Sequence, residues 1–118
     1  SSVETKEAIH KINNFDLVLI EADTQNIQDL RQLVDSSKKS QSERCVLILS
    51  HHDSKLLMVC GVTDDIQESL SAHDVIQAIA KATNGKGGGR KDFAQGAGEA
   101  ENFKEFVNSI PDIVQSIA

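Results

Sequence analysis

Apolar residues in this chain fall into short dense runs, separated by stretches where they recur every three or four positions. Phe15-Asp16-Leu17-Val18-Leu19-Ile20 is one dense run, and its continuity predicts a strand buried on both faces. Cys45-Val46-Leu47-Ile48-Leu49 and Leu56-Leu57-Met58-Val59-Cys60 predict two more. Between the first and second strands, Ile27, Leu30, Leu33 and Val34 mark one face of a helix. Asp23 or Thr24 is its expected cap, and Lys38-Lys39 complement the dipole at its far end. The polar run Ser50-His51-His52-Asp53-Ser54-Lys55 has hairpin length and joins the second strand to the third.

The remaining elements read as helical. Ala8, Ile9 and Ile12 sit at helical spacing, so residues 3–12 predict a short helix, and residues 1–13 the end of a longer linking helix. Ser71-Ala72-His73-Asp74 is a capping box that opens a helix with a stripe of Val75, Ile76, Ile79, Ala80 and Ala82, and its His73 is expected in solvent. Asn84-Gly85 should end that helix in the left-handed region. Phe103, Phe106 and Val107 predict a helix over residues 99–108. Ser109-Ile110-Pro111-Asp112 then restarts a short terminal one carrying Ile113, Val114 and Ile117. Strand, helix and strand require a right-handed crossover with parallel neighbours, and the hairpin adds an antiparallel partner. The expected fold is therefore α/β of mixed α+β character: a small mixed sheet of about three or more strands packed with helices, forming one domain over residues 14–118.

Length and composition narrow the function. The 118 residues suit one domain with a core of its own. Phe15, Phe93, Phe103 and Phe106 are the only aromatic rings of the Phe, Tyr and Trp type, which argues against a stacking platform for single-stranded bases. A net charge of −6 argues against whole-surface attraction to nucleic acid, so any RNA contact must be local. No apolar run approaches membrane length and no secretory leader is visible. The chain starts at Ser1-Ser2-Val3-Glu4 without Met, which suggests a piece of a longer protein. In a hairpin centred near Asp53, Cys45 falls opposite Gly61 and Cys60 opposite Val46. The two thiols should then face apart and stay reduced, as in an intracellular, cytoplasmic protein.

One stretch is not generic. Six of the seven glycines lie between positions 85 and 98, and Lys81, Lys86, Arg90 and Lys91 accompany them without an acid from 81 to 91. Glycine reaches positive φ without strain and admits close approach. A loop of bare amides with flanking cations suits a phosphate or another anion. The alternative is a helix cap followed by a flexible connection, with Phe93 as its anchor in the core.

Other chemistries fail on spacing. A phosphate-binding P-loop needs Gly-Lys-Ser/Thr after a strand, and here Arg-Lys-Asp follows a helix. The Gly-x-Gly-x-x-Gly pattern lands on Arg90 or Asp92 where its last glycine belongs. His51, His52 and Asp53 crowd a tight turn without ligand-spaced partners, so no metal is expected. Nothing assembles a nucleophile with a base, so the isolated chain is expected to be non-catalytic.

The segment Gly85-Lys86-Gly87-Gly88-Gly89-Arg90-Lys91-Asp92-Phe93-Ala94-Gln95-Gly96-Ala97-Gly98 resembles the Gly-Gly-Gly-Arg-Pro-Asp-Met-Ala-Gln motif of alanyl-tRNA synthetase C-terminal domains, a branch of the DHHA1 group. Lys91 stands where that motif carries Pro, and Phe93 where it carries Met. The resemblance implies a DHHA1-like domain that contacts the outer corner of alanine-accepting tRNA and helps present it to aminoacylation and editing sites elsewhere. It also implies a possible homodimer. ATP and zinc are expected only in upstream domains, with no cofactor in this fragment. Carried onto this chain, the RNA-contacting residues are Lys86, Gly87, Gly88, Gly89, Arg90, Lys91 and Gln95. Two other readings stay open. The chain could be the substrate-binding half of a DHH-type phosphodiesterase, although that branch carries His where Arg90 stands. It could also be a dimerisation module that presents its terminal helices.

Overall fold

The computed structural model describes residues 3–118. Its centre is set by the two most apolar runs. Strand β2 (Phe15–Ala22) and strand β3 (Arg44–His52) lie parallel, with Leu17 opposite Cys45 and Ile20 opposite Ile48. The crossover between them is helix α1 (Ile27–Lys38), which packs Leu30 and Val34 inward. Strand β4 (Lys55–Val62) returns antiparallel to β3. Six strands form one mixed sheet in the order β1-β2-β3-β4-β6-β5. The mixed α/β class expected from the sequence is the one observed.

The sheet has two buried faces. On one, Leu17, Leu19, Leu47, Leu49, Met58 and Cys60 meet helix α2 (Ala72–Ala82) and helix α3 (Phe103–Ile117). On the other, Val18, Ile20, Val46, Ile48 and Val59 meet α1. Because β3 contributes to both faces, its continuous apolar run has the physical reason expected of a central strand.

Several local expectations are corrected. Residues 3–12 do not form a helix: strand β1 (Thr5–Ile12) pairs antiparallel with β2 through the turn at Asn13-Asn14. Helical spacing misleads there because an edge strand exposed on both faces has no alternation to show, and Asn13 at φ 51° is the turn signal. Residues 1–2 of the expected linking helix lie outside the described residues. Helix α1 is capped by Asn26, whose side chain accepts from the Gln28 and Asp29 amides at 2.9 and 3.4 Å, not by Asp23 or Thr24. The expected pair of terminal helices is one helix, α3, with Pro111 inside it and Asn102 as its cap. Ser109 does not start a new helix; its hydroxyl donates back to the Phe106 carbonyl at 2.6 Å.

The β3–β4 turn is one step away from where the polar run placed it. Asp53 and Ser54 form a two-residue turn with φ 49° and 69°, the conformation that matches strand twist. Cys45 therefore pairs with Val62 and Cys60 with Leu47. A one-residue slip moves every side chain to the opposite face. The thiols consequently share the α2/α3 face, with Sγ atoms 3.7 Å apart, instead of facing apart. Burial and the Cys45 contact, the contact foremost, push the Cys60 thiol well above its ordinary range.

Candidate functional site

The glycine stretch is a hairpin at the edge of the sheet, not a loop. Strand β5 (Lys86–Gly89) and strand β6 (Phe93–Glu99) pair antiparallel, and β6 also pairs with β4. Helix α2 leads into it. Ser71 accepts the Asp74 amide at 3.1 Å as the capping box requires, and Asn84, at φ 53°, turns the chain out of the helix. Of the expected stripe, Val75, Ile76, Ile79 and Ala80 are buried, while Ala82 is exposed and Thr83 takes the buried position.

No glycine in the described chain has positive φ, so conformational freedom is not what these positions use. They use thinness. A Cβ at Gly87 would lie 2.6 Å from Ile76 Cγ2 on α2, and one at Gly96 would lie 3.0 Å from the same atom. At Gly88 the His73 ring occupies the space, with Cε1 2.9 Å away. Helix α2 thus sits directly on the hairpin backbone. The close approach that the bare glycines were expected to offer an anion is taken up by α2 from this side, and Gly87 and Gly88 are half-buried.

The backbone hydrogen bonds complete the attachment. The Arg90 amide donates to the Phe93 carbonyl at 2.8 Å, and strict alternation along the ladder then turns the polar groups of Gly87 and Gly89 away from β6. Two α2 side chains one helical turn apart reach for them. The Gly89 amide donates to His73 Nδ1 at 3.0 Å, and Gln77 Nε2 donates to the Gly87 carbonyl. His73, expected in solvent, is therefore a hook, as is Gln77. Their spacing of four on one helix face is the sequence signal, but it has no meaning until the strand beside it is known. The tip is tied as well. The carbonyls of Lys91 and Arg90 accept the Ala72 and His73 amides at 2.9 and 3.0 Å, satisfying the first turn of α2.

The predicted contact residues separate into two places. Arg90 and Lys91 sit at the exposed tip, whereas Lys86 begins β5, roughly 13 Å away at strand rise. Arg90 Nε donates to Asp92 at 3.1 Å, and that bond holds the Asp92 carboxyl below its usual range. Lys91 Nζ lies 3.7 Å from Glu68, with both side chains largely in water, so these pairs are easily exchanged. Gln95 is exposed on β6, on the sheet face that α1 covers further along. Phe93 is half-buried against that same face, with the Arg31 guanidinium 4.8 Å above its ring. Lys38, the last residue of α1, donates to the Asp92 carbonyl at 3.4 Å and brings a further cation to the tip.

The other histidines have local roles. His51 Nε2 lies 2.6 Å from the Ala100 carbonyl, and its ring stacks on Phe103 at 4.5 Å. His52 pairs with Asp53 in the exposed turn. Among the described residues no cluster of His, Cys, Asp and Glu could hold a metal, and no helix is long and apolar enough to cross a membrane.

A family model described as the DHHA1 domain matches residues 16–116, and the chain belongs to that family. The structure superimposes on the C-Ala domain of Aquifex aeolicus alanyl-tRNA synthetase with a TM-score of 0.80 and 30% identity, covering 92% of this chain and 98% of that one. It is thus a DHHA1 domain of the alanyl-tRNA synthetase C-Ala type. Alanine–tRNA ligases of Staphylococcus aureus strains RF122 and JH9 are each 29% identical over 113 residues. Those residues are 95% of this chain but 13% of each ligase. A DHH-domain member of the S1P family of ribosomal proteins shares the fold alone, with a TM-score of 0.59 and 12% identity.

Proposed function

We propose that this chain is the tRNA-binding, non-catalytic C-terminal domain of an alanine–tRNA ligase. It contacts the outer corner of an alanine-accepting tRNA through the tip and exposed side of the β5–β6 hairpin. The observation that carries this reading is the placement of Arg90 and Lys91. In a chain of net charge −6, two exposed cations project from a tip whose backbone is fixed by α2. Lys38 stands beside them and Lys86 at the other end of β5. Backbone amides contribute less than the sequence suggested: Gly89 gives its N–H to His73, and Gly88 belongs to the ladder with β6. Side-chain cations spaced along a rigid ridge suit the sugar-phosphate backbone of a folded RNA, read by shape. In this reading Gln95, exposed on β6, meets a base edge or a 2′-hydroxyl.

Engaging three or four phosphates gives a log–log salt slope of roughly −2 to −4. Replacing Arg90 and Lys91 together by Glu should weaken binding of alanine-accepting tRNA on the order of tenfold or more and flatten that slope. Circular dichroism should show the fold unchanged, since both side chains are exposed. Undiminished binding by the folded double variant overturns the assignment of the tip. Comparable affinity for an unrelated tRNA is expected, because corner recognition does not read acceptor identity.

A further inference from the structure

His73 touches three consecutive residues at the distal end of β5. Its backbone amide donates to the Arg90 carbonyl at 3.0 Å, its Nδ1 accepts the Gly89 amide at 3.0 Å, and its ring lies where a Gly88 side chain would stand. A ring nitrogen that accepts an N–H carries no hydrogen of its own. The neutral ring therefore bears its hydrogen on Nε2, and the Gly89 amide fixes that tautomer. Gln77, one turn further along α2, holds the Gly87 carbonyl with an amide that does not titrate. Of these two side-chain bonds from α2 to β5, one depends on protonation and the other does not.

We infer that His73 is a positioning residue for the cationic tip and acts only as the neutral ring, so that acid loosens Gly88 and Gly89 while Gly87 stays attached. Protonation places a hydrogen on Nδ1, and two donors then face each other across 3.0 Å. The imidazolium also stands in the first turn of α2, where the helix dipole opposes a cation. The charged groups lining the same surface cavity as the ring are Asp74 on α2, Glu68 on the segment leading into it, and Arg90 and Lys91 at the tip. The two carboxylates favour the imidazolium and the two cations oppose it, which leaves the Nδ1 contact and the dipole to decide. The charged ring is better satisfied by water, and turning outward it abandons the Gly89 amide. The bonds from the Ala72 and His73 amides to the tip carbonyls do not titrate, so the hairpin loses order at its distal end without coming away from α2. That a looser tip weakens tRNA binding rests on the tip being the RNA contact.

NMR relaxation of the 118-residue chain tests the hook without RNA. Heteronuclear NOEs of the Gly88 and Gly89 amides should fall between about pH 8 and about pH 5, with the midpoint of the His73 ring's own titration, while Gly87 holds its value. His73→Asn sets a side-chain oxygen in the place of Nδ1 and does not titrate, so its NOEs should stay high across the range. His73→Ala should keep them low throughout. Circular dichroism of both variants checks that the domain is folded. With alanine-accepting tRNA, acidification should cost the unmodified chain roughly threefold to tenfold in affinity relative to His73→Asn, the worth of one hydrogen bond. A histidine that only added charge against RNA would bind more tightly in acid, and that result overturns the positioning role. NOEs indifferent to pH in the unmodified chain, or a fall that persists in His73→Asn or His73→Ala, overturn the hook whether or not tRNA binds. If neither the unmodified chain nor His73→Asn binds tRNA at neutral pH, the tip is not the RNA contact, and the NOEs still decide the hook.

Discussion

Two hairpins of the sheet, β3–β4 and β5–β6, are packed against the α2/α3 side by opposite means. In β3–β4, side chains fill the space: Leu47, Leu49, Met58 and Cys60 are fully buried, and the helices rest on them. In β5–β6, the side chains are missing and the helix comes down to the backbone, with Ile76 set over Gly87 and Gly96. The first hairpin gains its stability from apolar area removed from water. The second gains contact by thinness and holds its position with hydrogen bonds from His73 and Gln77. A region held by specific polar bonds to one helix can keep its other side bare. That is why a cluster of exposed cations is found at the tip of this edge hairpin, whereas the interior of the central hairpin is apolar.

The comparison can be broken from either side. The largest loss is expected at the filled hairpin: Leu47→Ala should lower unfolding free energy by about 2–5 kcal/mol in urea denaturation, because it leaves a cavity between β3 and the helices. At the thin hairpin the sign of the volume change reverses. Gly87→Ala should cost about 1–3 kcal/mol by overpacking against Ile76 and the adjoining β6 backbone, and Ile76→Ala, which removes the Cγ2 methyl, should couple favourably with it, the pair costing less than the sum of the single changes. If Gly87→Ala were neutral, the close seat of α2 would not be what glycine serves here. The smallest effect is electrostatic. Asp92 is held below its usual range mainly by the Arg90 bond, so the unfolded state binds its proton more readily. Its contribution is present above the unfolded-state value and disappears as pH falls through the lower folded-state one. Asp92→Asn should therefore flatten the acid limb of stability against pH slightly, as measured by thermal melts below the ordinary carboxylate range.

The same contrast explains what could be read from the chain. The filled elements were legible because burial writes itself as pattern: β2, β3, β4, the face of α1 and the stripe of α2 through Ala80 follow directly from apolar spacing. Elements lacking that mark were not. Strand β1 has no protected face, and its Ala8, Ile9 and Ile12 imitate a helix. Strands β5 and β6 are built from Gly and Ala, residues that signal a loop when read singly. Pro111 reads as a boundary, although packing of Phe103, Phe106, Ile110 and Val114 on the sheet carries α3 past it. The motif identified the candidate site, and the cations were named from it. Their division between tip and strand start, and the hooks His73 and Gln77, depend on how the sheet edge meets α2, which no local pattern encodes.

The strand order has one more consequence. β1 and β5 are the two margins of a single hydrogen-bonded sheet, with four strands between them. At the usual interstrand spacing they stand about 24 Å apart. Because β2, β3 and β4 are largely buried and every intervening strand is paired on both sides, that separation behaves as the length of a stiff gauge rather than a tether. Whatever is gripped at one margin is held at a set distance from whatever is gripped at the other.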